Sequence, residues 1–180
     1  MTGRPRLRHE WAYLAQVATD IHAKRAASYP ARVADGRMSS HEAEAALSSI
    51  AAIADDWRAA YAGGMPDDGP GRPSRAARVA TLTAARDRAT VLADKAATAF
   101  RAVLPAKAAL PDRDQLVIEH YQGLTMSATA EAWVRALDYA AAVAAMLWWE
   151  EGSNGKLSIV CSINAQLRAE RAAPDRAEAA

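Results

Sequence analysis

Residues Ser39–Gly64, SSHEAEAALSSIAAIADDWRAAYAGG, decide the fold. Ala43, Leu47, Ile50, Ala54, Trp57 and Tyr61 recur at spacings of three and four, the period of one helix face and not of a strand. Ser39 and Glu42 have capping-box spacing, so that each side chain can satisfy an amide that the start of a helix leaves open. Gly63-Gly64 ends the pattern, because glycine reaches the left-handed conformation that closes a helix at little steric cost. A helix over 40–61 is expected, with both of its ends written in the sequence.

Upstream, Leu7, Trp11, Leu14, Ala18 and Ile21 form a second apolar stripe, and a helix is expected over 7–28. Pro30 has no N–H and crowds the carbonyl four residues back, so the helix should kink or restart at Tyr29-Pro30. Asp35-Gly36 is a turn signal. Residues 1–63 therefore read as an antiparallel helical hairpin.

Downstream, GGMPDDGPGRPS at 63–74 is too rich in Gly and Pro for regular structure, and 64–74 reads as a linker. A third helix, capped by Ser74, is expected from Arg75 to Leu104, with Val79, Leu82, Leu92, Phe100 and Leu104 as its larger apolar residues. Pro105 and Pro111 bracket an irregular stretch. Asp112 with Gln115 opens a short helix that Gly123 stops beyond Tyr121. A fifth helix, from Ser127 to Glu151, carries Trp133, Leu137, Ala140, Ala144, Leu147 and Trp148 on its stripe. Lys156–Ile163 alternates like a strand but also fits a helix through Ile159, Ile163 and Leu167. No second strand is available to pair it, so helix is favoured; a strand would need an edge from another chain. The fold class is all-α: a hairpin followed by a bundle of three to four helices over 75–172, with 173–180 a frayed tail.

Composition agrees. The chain has 180 residues, 51% hydrophobic and 24% charged, which is enough for a hydrophobic core and unlike a disordered chain. Roughly a quarter of the positions are alanine, the best helix former. A net charge of +1 gives the whole molecule no strong pull on nucleic acid, and it is no acidic mimic of DNA. The lone Cys161 excludes an intramolecular disulfide framework and any multi-cysteine zinc site, and nothing points to an oxidising compartment. Met1–Asp20 has no apolar core of a signal peptide. The charge-free stretch Tyr139–Trp149 is too short to span a bilayer. A cytoplasmic location is expected, with no membrane contact. Arginines outnumber lysines 18 to 4, which with the alanine load suggests a GC-rich genome.

The small net charge hides blocks of +4 over 1–40, −5 over 41–70, +6 over 71–113 and −5 over 114–151. Pairing each basic helix with the next acidic one would set opposite charges side by side. Exposed pairs are worth only about 0–1 kcal/mol each, so their effect is on which helices become neighbours.

No reactive centre can be read from the chain. His9, His22, His41 and His120 each lie within two residues of an acid, but only His41 and Glu44 have the i,i+3 spacing of a helical metal site. That single pair lies in a helix's first turn, where acids are expected anyway. Gly-x-Ser-x-Gly is absent, the glycine-rich linker lacks a P-loop ending, and Cys161 has no basic neighbour in sequence, which reads as a buried, inert thiol. No catalytic, metal-binding or cofactor-binding residue is assigned, no cofactor is expected, and the chain reads as a non-enzyme.

Two candidate binding surfaces remain. Trp148, Trp149, Glu150 and Glu151 break local rules. Successive tryptophans point about 100° apart on a helix, so Trp149 falls at the margin of the stripe or outside it, unless the tail helix folds over it. Two glutamates at a helix C-terminus oppose its dipole. Exposed tryptophan is typical of protein-binding hot spots. The alternative surface is basic. Gly3-Arg4-Pro5-Arg6 and Gly71-Arg72-Pro73 resemble the core of the AT-hook, although Thr2 and Pro70 stand where that motif has a basic residue. Arg8, Arg75, Arg78, Arg86 and Arg88 would extend the basic segments along DNA. The Tyr121–Leu124 turn has helix-turn-helix character, but the helix after it is too rich in Ala and Trp to read bases and is expected to be core.

YPARVADGRMSSHEA at 29–43, followed by an apolar helix ending in acids, resembles short uncharacterised proteins of bacterial prophages and phages from GC-rich hosts. The resemblance covers residues 9–62. It implies a helical hairpin and a mobile-element origin, and it carries over no catalytic residue. The expected function is that of a non-enzymatic, phage-encoded binding protein that docks on a protein partner in a host complex, in the manner of an anti-CRISPR inhibitor. The alternative is a DNA-associated accessory protein. DNA contact and homodimerisation stay open.

Overall fold

In a computed structural model, residues 4–66, 69–106, 108–153 and 159–172 are described. They form six α-helices, α1 (Trp11–Ala34), α2 (Ser40–Ala62), α3 (Arg75–Val103), α4 (Arg113–Tyr121), α5 (Ala128–Gly152) and α6 (Ile159–Ala172). The chain is all-α across the described residues.

Helix ends follow local chemistry. The Glu42 amide donates to Ser39 Oγ at 3.2 Å, and the Ser39 amide donates to the Glu42 carboxylate at 2.8 Å, so the capping box of α2 is complete. At the other end Gly63 takes φ 72°, and the Gly64 amide donates to the Ala59 carbonyl at 2.8 Å. Ser74, Asp112 and Ser127 cap the starts of α3, α4 and α5 with side-chain oxygens that accept from first-turn amides, without the reciprocal bond of a capping box.

Two differences from the sequence reading concern α1. It begins at Trp11, not Leu7, because Leu7 is buried in a turn whose carbonyl accepts from the Glu10 amide. It also runs through Pro30 to Ala34 without restarting. Pro30 stands one turn before the helix end, so its ring removes a single ladder bond, and Asp35-Gly36, with Gly36 at φ 67°, makes the real stop. The 156–163 ambiguity resolves as helix over its described part, 159–163. Ile159, Val160 and Ile163 are all buried, a helical grouping that alternation would split between two faces. The expected frayed tail, 173–180, lies outside the described residues.

α1 and α2 pack antiparallel, with Trp11 stacked on Trp57 at 6.1 Å between ring centroids. α3 and α5 also run antiparallel: Arg75 meets the C-terminus of α5, and Phe100 lies against Trp133 at the opposite end. The inward stripe of α3 is small, with Ala85, Ala89 and Ala93 buried between Leu82 and Phe100, and small residues let helix axes approach closely. These are the neighbours that the alternating charge blocks favour. Among the described residues, however, only Arg6–Asp138, Arg72–Asp56 and Arg78–Glu150 join different segments as ion pairs.

The linker does not divide two cores. Leu14, Ile50, Trp57, Leu82, Met146 and Ile159 share one cluster, so α1, α2, α3, α5 and α6 bury a common interior. A smaller cluster at the far end gathers Phe100, Leu116, Val117, Ala130, Trp133 and Val134, which brings α4 onto α3 and α5. Burying a large aliphatic or aromatic side chain contributes roughly 1.5–3 kcal/mol, so these two clusters dominate the stability.

Candidate functional site

The Trp148–Glu151 segment is not the open surface its sequence suggests. Trp149 is 4% exposed. It lies 5.7 Å from Trp11 and 5.0 Å from Trp148 between ring centroids, and its indole Nε1–H donates to the Arg8 carbonyl at 2.9 Å. The N-terminal segment closes over it. Glu150 is 1% exposed and its carboxylate accepts from Arg78. The dipole penalty of the two glutamates is offset from α3: Arg75 donates to the Glu150 and Glu151 carbonyls, and cations at a helix C-terminus are favourable. Trp148 is half-buried, and Glu151 alone of the four is exposed.

The arginine-rich segments are largely consumed inside the molecule. Arg6 donates to buried Asp138, which also accepts from the Tyr121 hydroxyl at 3.1 Å. Burial and the Asp138 carboxylate together push the nearby Tyr13 hydroxyl up to about 12. Arg72 donates to Asp56, Arg78 is buried on Glu150, and Arg86 hydrogen-bonds its neighbour Asp87. Arg8 is half-buried with its carbonyl under Trp149. Among the described residues, only Arg4 and Arg88 of the eight are exposed without such a carboxylate partner. They stand on separate segments and make no continuous basic track. In the helix that follows the α4–α5 turn, Trp133 and Val134 are buried in the core.

The structure assembles a different site. α1 and α3 both pack beside α5 but do not meet each other, and the groove between them encloses about 380 Å³. Its apolar lining is Ile21 from α1, Ala85 and Leu92 from α3, and Ala136 from α5. Lys24, Arg25, Arg32, Arg88 and Arg135 surround it, together with Tyr29 and Tyr139, and no acidic residue lines it. Arg135 reaches Glu131 at 3.5 Å, whereas Lys24, Arg25, Arg32 and Arg88 form no ion pair among the described residues. Arg32 instead lies over the buried Tyr29 ring, 5.4 Å from its centroid, a cation–π contact that holds the guanidinium in place.

The electrostatics are those of a site short of negative charge. Burial lowers the Arg25 pKa below the ordinary arginine value, and the neighbouring Arg88 and Arg32 lower it further. Burial raises the Tyr139 hydroxyl, while Arg25 and Arg88 pull it back. A half-buried guanidinium with two like charges beside it and no carboxylate is unfavourable until an anion arrives. Of this site, sequence reasoning included only Arg88. The i,i+4,i+8 spacing of Lys24, Ser28 and Arg32 was the available signal on α1, but the convergence with α3 and α5 is tertiary.

Among the described residues no three His, Cys, Asp or Glu side chains group to hold a metal ion. Cys161 is half-buried on α6, more accessible than a buried thiol. No helix of the described residues is long and apolar enough to cross a membrane. The chain matches no family model, and no curated protein or solved structure is similar to it.

Proposed function

We propose that this chain is a binding protein without a reactive centre and that its contact surface is the groove between α1 and α3, which takes a negatively charged partner. The observation that carries the reading is the set of groove cations, Lys24, Arg25, Arg32 and Arg88, that form no ion pair among the described residues, while Arg6, Arg72 and Arg78 elsewhere do. Arg25 and Arg32 are half-buried and Lys24 and Arg88 exposed around one groove that no acidic residue lines, so this cluster of positive charge keeps a site for an external anion.

In the setting suggested by the resemblance of residues 29–43 to phage and prophage proteins, such binding serves inhibition of a host complex, where occupancy alone suffices. The DNA-associated reading has less support, since most of its arginines are held in internal hydrogen bonds.

Calorimetric titration with a panel of anions tests the reading, using hexaglutamate, inorganic pyrophosphate, ADP and a random 20-mer duplex. The wild type should bind at least one of them, and the Arg25→Glu/Arg88→Glu variant should bind none. Failure of the whole panel, or binding unmoved by charge reversal, overturns it.

A further inference from the structure

We infer that the occupant of the α1–α3 groove is an organic phosphate of nucleotide size, an inference that rests on the groove being the binding site. Charge is the first argument. A single carboxylate would leave most of the four unpaired cations uncompensated, whereas a phosphoryl group carries about −1.5 to −2 and offers three strong acceptor oxygens. The second argument is residue type. Four of the five groove cations are arginines, whose planar forks match phosphate geometry in a way that an ammonium does not. Arg25 and Arg32 on α1 and Arg88 on α3 line the same groove, Arg32 lies over the Tyr29 ring, and Arg88 helps lower the Arg25 pKa, so three forks from two walls share one site.

Size and lining give the rest. The groove's volume of about 380 Å³ lies within the range of small-molecule sites. Below the cations, Ile21, Ala85, Ala136 and Leu92 present an apolar surface with the half-buried Tyr139 at its side. Leu92 is 47% exposed and adds apolar area at the groove's edge. An inorganic anion would use the arginines and leave this surface wet; a phosphate ester with a flat or apolar body would use both.

The test is calorimetry in metal-free buffer with ADP, inorganic pyrophosphate, adenosine, hexaglutamate and the duplex 20-mer. ADP should bind about tenfold more tightly than pyrophosphate, because its body adds apolar contact. Adenosine should not bind measurably. Arg25→Ala and Arg88→Ala should each weaken ADP about tenfold, the loss of one charge-assisted hydrogen bond. Leu92→Asn should narrow the gap between ADP and pyrophosphate, and circular dichroism checks that each variant is folded. Tighter binding of hexaglutamate or duplex than of ADP would overturn the organic phosphate and leave the anion groove standing. Equal affinity for ADP and pyrophosphate, or adenosine binding as well as ADP, would also overturn it. If no probe binds, the groove reading falls as well.

Discussion

The indole Nε1–H of Trp149 donates to the backbone carbonyl of Arg8 at 2.9 Å, tying residues 141 positions apart. This bond turns what looks in sequence like an exposed hot spot into a keystone between the N-terminal segment and α5. Trp149→Phe keeps the aromatic packing and removes the donor, and should lower the unfolding free energy in urea by about 1–2 kcal/mol. Trp149→Ala also opens a cavity beside Trp11 and Trp148 and should lower it by about 3–5 kcal/mol. A Trp149→Ala protein as stable as the wild type would mean that the ring is not buried in solution.

Arg78 and Glu150 form a buried ion pair joining the first turn of α3 to the last turn of α5. Arg78 also donates to the Pro73 carbonyl at 2.7 Å, so the pair anchors the end of the linker. Removing one partner strands the other charge, and Glu150→Ala should destabilise by about 3–5 kcal/mol. Replacing both with apolar residues of similar volume, Arg78→Met with Glu150→Leu, should recover most of that loss. A double-mutant cycle by chemical denaturation measures the coupling, and additive effects of the two single changes would exclude it.

Much of the fold is legible because its signals are local. Ser39 and Glu42 cap α2 with atoms three residues apart, and Gly63 ends it with its own φ. The site is illegible for the opposite reason. Whether Trp149 is exposed depends on Arg8 and Trp11, and whether Glu150 and Glu151 are misplaced depends on Arg75 and Arg78 in another helix. Spacing along one helix cannot report what a second helix brings. The same holds for Arg25 and Arg88, ordinary surface cations in one dimension that face each other only because α1 and α3 flank α5 without touching. Arg6, Arg72 and Arg78 read along the chain as basic segments, and in space each pairs with a carboxylate that another segment brings.

Asp56 makes stability depend on pH in an unusual direction. Burial lifts its carboxyl from 3.8 to about 6; Arg72, which donates to it, and Arg78 oppose the rise, and Glu150 adds to it. Because the folded value lies above the unfolded one, the native state holds the proton more tightly. The stabilisation is complete below about pH 4 and is lost as pH rises through 6. The two values imply a loss of the order of 2–3 kcal/mol from this group across that window. Asp56→Asn keeps an acceptor for Arg72 and removes the titration. Urea midpoints measured from pH 4 to pH 7.5 should show this component in the wild type and its absence in Asp56→Asn. Identical profiles for the two proteins would refute it.

Pro30 stands inside α1 with its ring exposed, one turn before the helix ends at Ala34. Proline cannot donate to the ladder, and its ring presses on the carbonyl four residues earlier, that of Ala26. The helix continues anyway, so the cost is borne by the packing of its neighbours, above all the buried Tyr29. Because the Pro30 side chain faces solvent, replacing it loses no core contact. Pro30→Ala should restore one helical hydrogen bond and raise stability by about 1–3 kcal/mol, read as a higher urea midpoint with an unchanged slope. Since Tyr29 and Arg32 flank Pro30 and both line the groove, the same variant also separates stability from binding. If proline sets the direction of the last turn, Pro30→Ala should weaken anion binding while strengthening the fold. A midpoint that falls would show that the ring makes a contact worth more than the bond it removes.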